Sequence, residues 1–392
     1  MTFLVRGRLA VGLVIFLLAG GSASAADAVL GMSATQPSSG PSVKTSQGYM
    51  VPYKTKIPAS DVEFDMMPIP GGKFKLGSPA GETDRKEDEG PQVEVEVPPY
   101  WIGTHEISWA EYKRYMAMHD LFKTITQKKL LPITDANKLD VVTAPSNLYD
   151  STFTFQFGDD PKQPAITMSQ FAAKQYTKWL SGLSGNFYRL PTEVEWEYAC
   201  RAGTTTAYSF GNDATKLGEY AWFLENAEEK TQNIGQKKPN PWGLYDMHGN
   251  VAEWVLDQYA KDSYAKWNGK KAAETIAWPT KLYPRIVRGG SWDDEPAQCR
   301  SAARKGSHDD NWRADDPNFP QSPWWFTRDY ALGVGFRLVR PLEVPPRAER
   351  EKFWNADIEQ IQRDSDNRID SEGRGKRSVA NGELLKVLET LK

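Results

Sequence analysis

Thiols and imidazoles are scarce in this chain of 392 residues, which has two cysteines, Cys200 and Cys299, and four histidines, His105, His119, His248 and His308. No two histidines stand at a ligand spacing such as i and i+4, which argues against a helix-borne metal centre built from imidazoles. Excess charge of either sign is also missing. Lys and Arg number 48 against 51 Asp and Glu, a formal balance of −3, so the basic field of a nucleic-acid binder is absent. Beyond residue 20 there is no apolar run long enough to span a bilayer.

What is abundant is Trp, Gly and Pro, at 14, 31 and 26 residues. That composition suits a loop-rich fold packed by aromatic side chains rather than a helical bundle. Residues 1–25 read as a secretory signal: Arg6 and Arg8 form a basic start, Leu9 to Gly20 an apolar run, and Ala23-Ser24-Ala25 a small-residue cleavage site. The alternative, an uncleaved anchor, needs ~20 apolar residues, more than the run provides. The chain is therefore expected in the periplasm or secreted. Residues 26–60 are rich in Ser, Pro, Thr and Gly and read as a flexible leader. In an oxidising compartment two cysteines suggest a Cys200–Cys299 disulfide, worth about 4 kcal/mol by loop entropy, with a free reactive thiol as the alternative.

Local patterns predict several elements. The run from Phe64 to Gly77 alternates around Pro70-Gly71-Gly72 and reads as a hairpin. Val93, Val95 and Val97 alternate with glutamates and read as a half-buried strand. Ser108-Trp109-Ala110-Glu111 and Thr192-Glu193-Val194-Glu195 fit the capping box that starts a helix. Ala172, Tyr176, Trp179 and Leu180 lie on one helical face, closed by Gly182 and Gly185. Residues 121–164 read as an irregular surface excursion, and 344–392 as a charged extension, either solvated or docked through Phe353, Trp354, Ile358, Ile361 and Leu384.

Several blocks occur in a fixed order: Pro68-Ile69-Pro70-Gly71-Gly72; Trp101-Ile102-Gly103-Thr104-His105-Glu106; Arg189-Leu190-Pro191-Thr192-Glu193; Gly243-Leu244-Tyr245-Asp246-Met247-His248-Gly249-Asn250-Val251-Ala252-Glu253-Trp254; Arg288-Gly289-Gly290-Ser291-Trp292; and Gly335-Phe336-Arg337. In these the chain resembles the formylglycine-generating-enzyme, or sulfatase-modifying-factor, family across residues 61–343. The resemblance implies an α+β, C-type-lectin-like fold with little regular secondary structure. Read without it, Trp196, Trp254, Gly290 and Phe336 are packing and turn residues.

Family members that make formylglycine use two cysteines after the Arg-Gly-Gly-Ser block to hold cuprous copper and oxidise a substrate cysteine. Here the first of those positions falls near Asp294, a hard ligand ill matched to that ion. The second falls on Cys299 only if counted from Ser291, so Cys299 is the sole catalytic candidate and copper is not expected. The resemblance also implies a structural calcium at Asn250, Val251 and Glu253, with Asn226 in a second site, since oxygen ligands on a Gly-bearing turn suit that cation. Two functions remain open: a calcium-stabilised module binding an exported protein segment or a glycan, and an active protein-cysteine oxidase or divergent oxidoreductase.

Overall fold

The computed structural model describes residues 29–148, 150–308, 312 and 322–391; the signal expected at 1–25 lies outside them. Order begins earlier than the composition suggests. Strands β1 (Met32–Ser33), β2 (Val43–Thr45) and β3 (Gly48–Met50) form a small sheet, and β4 (Tyr53–Lys56) runs antiparallel to β5 (Glu63–Ile69). The reading of 26–60 as a flexible leader is thus corrected for its described part. Few apolar residues suffice because Met50, Tyr53 and Ile57 are buried in the main core, and Arg340 lies 5.4 Å over the Tyr53 ring and 4.6 Å over Trp101.

The expected hairpin is also corrected. The chain turns at Pro70-Gly71, but β5 pairs with β8 (Tyr100–Gly103), whereas β6 (Gly72–Leu76) pairs with β7 (Val93–Val97). A Cβ on Gly71 would stand 2.9 Å from Pro99, so the turn is pressed against the β7–β8 connection and its two arms part into different sheets. β7 buries every valine and exposes every glutamate, as its alternation requires.

The later strands are β9 (Val141–Ala144), β10 (Ala252–Gln258), β11 (Lys270–Lys271), β12 (Arg285–Arg288), β13 (Arg304–Gly306), β14 (Val334–Gly335), β15 (Val339–Pro341) and β16 (Lys376–Val379). They complete sheets of order β13-β12-β10-β14, β11-β7-β6, β15-β8-β5-β4 and β16-β9. Both capping boxes are formed: Ser108 starts α1 (Trp109–Met116), and Thr192, whose hydroxyl accepts from the Glu195 N–H at 3.1 Å, starts the later helix at Glu193. Within residues 121–164, α2 (Met118–Lys128), β9 and α3 (Ser151–Thr154) give the expected excursion more structure than its breakers indicate. α4 (Gln170–Ser184) is buried almost throughout and ends at Gly185, with φ +72°; α5 spans Glu193–Arg201.

The C-terminal extension docks. β16 pairs with β9, Phe353 packs edge-on against Phe187 at 5.6 Å, and the Trp354 indole donates to Tyr188 O. Asp357 is the shared counterion of two buried cations, accepting from Lys174 Nζ at 3.0 Å and from Arg285 Nη2 at 2.7 Å. Gly182 does not stop α4. It lets the extension approach, since a Cβ there would fall 1.8 Å from Ala380 O.

Candidate functional site

The Arg-Gly-Gly-Ser block sits on a buried ionic lattice. α5 carries Glu193 and Glu197 inward. Arg288 on β12 donates to both at 2.7 Å, Arg304 on β13 donates to Glu193 at 2.6 and 2.9 Å, and Arg201 donates to Glu197 at 2.8 Å. These guanidinium groups hold the Glu193 carboxyl below its ordinary range despite the opposing effect of burial. Such a lattice contributes little net stability over an apolar core, yet removing one member leaves an uncompensated buried charge.

The chain leaves this support through Gly289 and Gly290, at φ +100° and +71°; a Cβ on Gly290 would lie 2.7 Å from Cys299 Sγ. It then closes a turn in which the Ser291 N–H and Oγ–H donate to Asp294 Oδ2 at 2.9 and 2.8 Å. Lys305 Nζ donates to both Asp294 oxygens, at 3.1 and 3.2 Å, and lies 5.6 Å from the centre of the Tyr330 ring. Above the turn opens a cleft of about 370 Å³, lined by Ser291, Trp292, Asp294, Gln298, Lys305 and Tyr330 among others. Tyr330 is half exposed at its rim.

Neither cysteine reaches this cleft. Cys299 ends a 3₁₀ turn (Pro296–Cys299) and is wholly buried in a small cluster with Ala207, Tyr208 and Phe223, while Cys200 packs with Tyr100, Trp196 and Val255. The expected disulfide is not shown: both are free, buried thiols, and each sulfur lies in a separate apolar cluster. His248 stands beside both residues. Its Nδ1 bonds Cys299 O at 2.7 Å, its Nε2 lies 2.9 Å from Ser209 Oγ, and Cys200 Sγ is 3.9 Å from each ring nitrogen. Burial pushes the Cys200 thiol up to about 12 and Cys299 well above its usual value, so neither is poised as a thiolate.

Of the residues expected to hold calcium, Asn226, Asn250 and Glu253 have side chains engaged with protein partners. Asn226 Oδ1 accepts from the Phe223 N–H at 2.8 Å, and its amide donates to Ala221 O. Asn250 Oδ1 accepts from the Gln232 N–H at 2.9 Å, and its Nδ2 donates to Glu106 Oε2 at 2.8 Å; the Val251 N–H donates to Glu106 Oε1. Glu253 is gripped by Arg337 at 2.5 to 2.8 Å and accepts from the Trp196 indole at 2.8 Å. At Glu253 a cation would face the Arg337 guanidinium, so that carboxylate as placed does not fit a calcium ligand, and the remaining groups fall short of the ~6–8 oxygens calcium takes. Among the described residues no group of three or more His, Cys, Asp or Glu side chains is placed to hold a metal.

With this geometry in view, the comparisons with known proteins decide the lineage. A profile of the sulfatase-modifying factor enzyme 1-like domain matches residues 55–315. The chain belongs to that family. It is 26% identical over 277 residues to the formylglycine-generating enzyme of Thermomonospora curvata, covering 61% of this chain and 87% of that one. It is 27% identical over 241 residues to the serine/threonine-protein kinase pkn1 of Chlamydia pneumoniae, covering 61% of this chain. The match spans only 35% of that relative's length. PvdO from Pseudomonas aeruginosa superposes with a TM-score of 0.51 at 25% identity, over 74% of this chain and all of PvdO. The expected fold, α+β and of this family's type, is therefore the observed one.

Of the candidate residues, the structure brings Asn250, Val251 and Glu253 into one buried cluster with Glu106, Asp246 and Arg337, and sets Cys299 beneath the cleft floor. Sequence reading missed Gln298, Lys305 and Tyr330 as cleft residues. The Ser-x-x-Asp spacing of Ser291 and Asp294 was a local signal for the turn, but Tyr330 is brought in by tertiary structure alone.

Proposed function

We propose that this chain is an exported, periplasmic or secreted, member of its family that has exchanged thiol oxidation for binding, recognising an exported protein segment or a glycan in the cleft above Ser291. One observation carries the reading. Where the oxidases of the family expose a pair of thiols, this cleft offers an Asp294–Lys305 ion pair, and the nearest sulfur is buried below it with its proton held tightly. A carboxylate already paired with an ammonium is a poor ligand for a soft cuprous ion. Export is supported by the basic, apolar and small-residue succession in residues 6–25.

The test is co-expression of the chain with a sulfatase-derived Cys-x-Pro-x-Arg peptide, with copper supplied and the peptide read by mass spectrometry. The expected result is an unmodified cysteine. Aldehyde formation that disappears in Cys299→Ser would overturn the proposal and establish the oxidase reading instead.

A further inference from the structure

We infer that the segment from Thr126 to Leu139 docks this protein on the surface of an anionic phospholipid membrane, without spanning it. The inference is independent of the cleft. Among the described residues seven large hydrophobic side chains stand exposed, and three of them, Leu130, Ile133 and Leu139, lie on this one loop at 39%, 46% and 38% exposure. Single apolar side chains open to water need no explanation, whereas three gathered together mark a contact surface. The loop follows α2, and from Thr126 to Leu139 every residue is exposed except Leu131 and Asn137.

Its shape is fixed rather than loose. Leu131 packs on the main core. Asn137 Oδ1 accepts from the Thr134 N–H at 2.7 Å and its Nδ2 donates to Pro132 O at 3.0 Å, so one side chain ties the backbone on both sides of Ile133. At the far end Asp140 accepts from Arg347 Nη2 at 2.6 Å and from Asn381 Nδ2 at 3.0 Å. Ile133 is thus held out toward water by a braced turn, and covering it requires little further ordering of the chain.

Charge selects the partner. The acids of this stretch are engaged: Asp120 Oδ1 lies 3.1 Å from His119 Nδ1, Lys138 pairs with Asp135 at 3.1 Å, and Arg347 pairs with Asp140. Lys123, Lys128 and Lys129 are exposed and carry no ion pair among the described residues. Cations of this kind are drawn to anionic headgroups, and the leucine and isoleucine side chains beside them can enter the acyl boundary while the ammonium groups stay among the phosphates. Area argues against a protein partner, since three half-open side chains offer far less than the ~1,000 Å² that a specific protein interface buries. A membrane needs only shallow insertion backed by charge.

The experiment is vesicle co-sedimentation of the full mature chain with phosphatidylcholine alone and with vesicles in which phosphatidylglycerol replaces about a third of it. Binding to the anionic vesicles is expected, weaker by about tenfold or more on the neutral ones and in the triple variant Lys123→Gln, Lys128→Gln, Lys129→Gln. Ile133→Asp is expected to lose about tenfold as well. All four side chains are exposed, so unchanged melting temperatures separate lost docking from lost folding. Insertion is read separately with Ile133→Cys carrying an environment-sensitive dye, which labels selectively because Cys200 and Cys299 are buried; a blue shift on the anionic vesicles is expected. No binding to those vesicles, or binding indifferent to both variants, would overturn the inference. A bound chain whose dye remains in water would overturn insertion of the loop. Self-association or capture of an acidic protein that Ile133→Asp abolishes, with vesicles left unbound, would overturn the membrane in favour of a protein partner.

Discussion

At the residue scale, burial without a countercharge has measurable consequences. Glu111 is enclosed in the main core, where desolvation pushes its carboxyl up to about 7, only partly offset by the Ser108 hydroxyl and N–H that donate to it. An acid whose folded pKa is raised contributes stability that is fully present below its unfolded value near 4.5 and is lost as pH rises through about 7. Glu111→Gln keeps the acceptor without the charge. Urea unfolding at pH 5 and pH 8 is expected to show the wild type losing about 3 kcal/mol more than the variant on going to the higher pH. Parallel pH profiles would contradict this account of Glu111. The ionic lattice makes a second residue-scale prediction: Arg288→Met removes the cation that bridges Glu193 and Glu197, leaves them to Arg304 and Arg201 respectively, and is expected to cost about 2–3 kcal/mol of unfolding free energy through the charge-assisted hydrogen bonds lost, read by denaturant titration.

At the scale of elements, legibility followed how local the signal was. The capping boxes at Ser108 and Thr192 and the alternation of β7 involve residues a few positions apart, and each formed where its pattern lay. The hairpin read at Phe64 to Gly77 failed because local alternation cannot tell which partner a strand takes, and β5 and β6 take different ones. The leader failed for a related reason. Its composition is that of a loop, but three anchors, Met50, Tyr53 and Ile57, fix it to the core. Gly182 looked like a helix stop and is a contact point for Ala380. Gly182→Ala is therefore expected to loosen the C-terminal extension while leaving α4 helical. Limited proteolysis would show faster cleavage after residue 344 with little change in far-ultraviolet circular dichroism; unchanged cleavage would contradict the docking role. Deleting residues 345–392 should lower the melting temperature further, because Lys174 and Arg285 would then share a buried site without Asp357.

At the scale of the whole molecule, the ordered blocks made the family and its fold legible before any coordinates, because their spacing reports a shared scaffold. The cleft was only half legible: the turn from Ser291 to Asp294 is local, while Lys305 and Tyr330 come from β13 and from the segment before β14. The calcium expectation came from the resemblance, and of its four residues only Glu253 meets a guanidinium, that of Arg337. Millimolar calcium, compared with a chelator, is expected to leave the melting temperature unchanged; a rise of several degrees would contradict that geometry.

The central claim is that the site has lost its grip on copper because its sulfur is sealed beneath the floor. It is tested most directly by anaerobic titration of the reduced chain with cuprous ion, followed by native mass spectrometry. The account predicts no stoichiometric copper and the same result in Cys299→Ser. One copper per chain that vanishes in Cys299→Ser would contradict it.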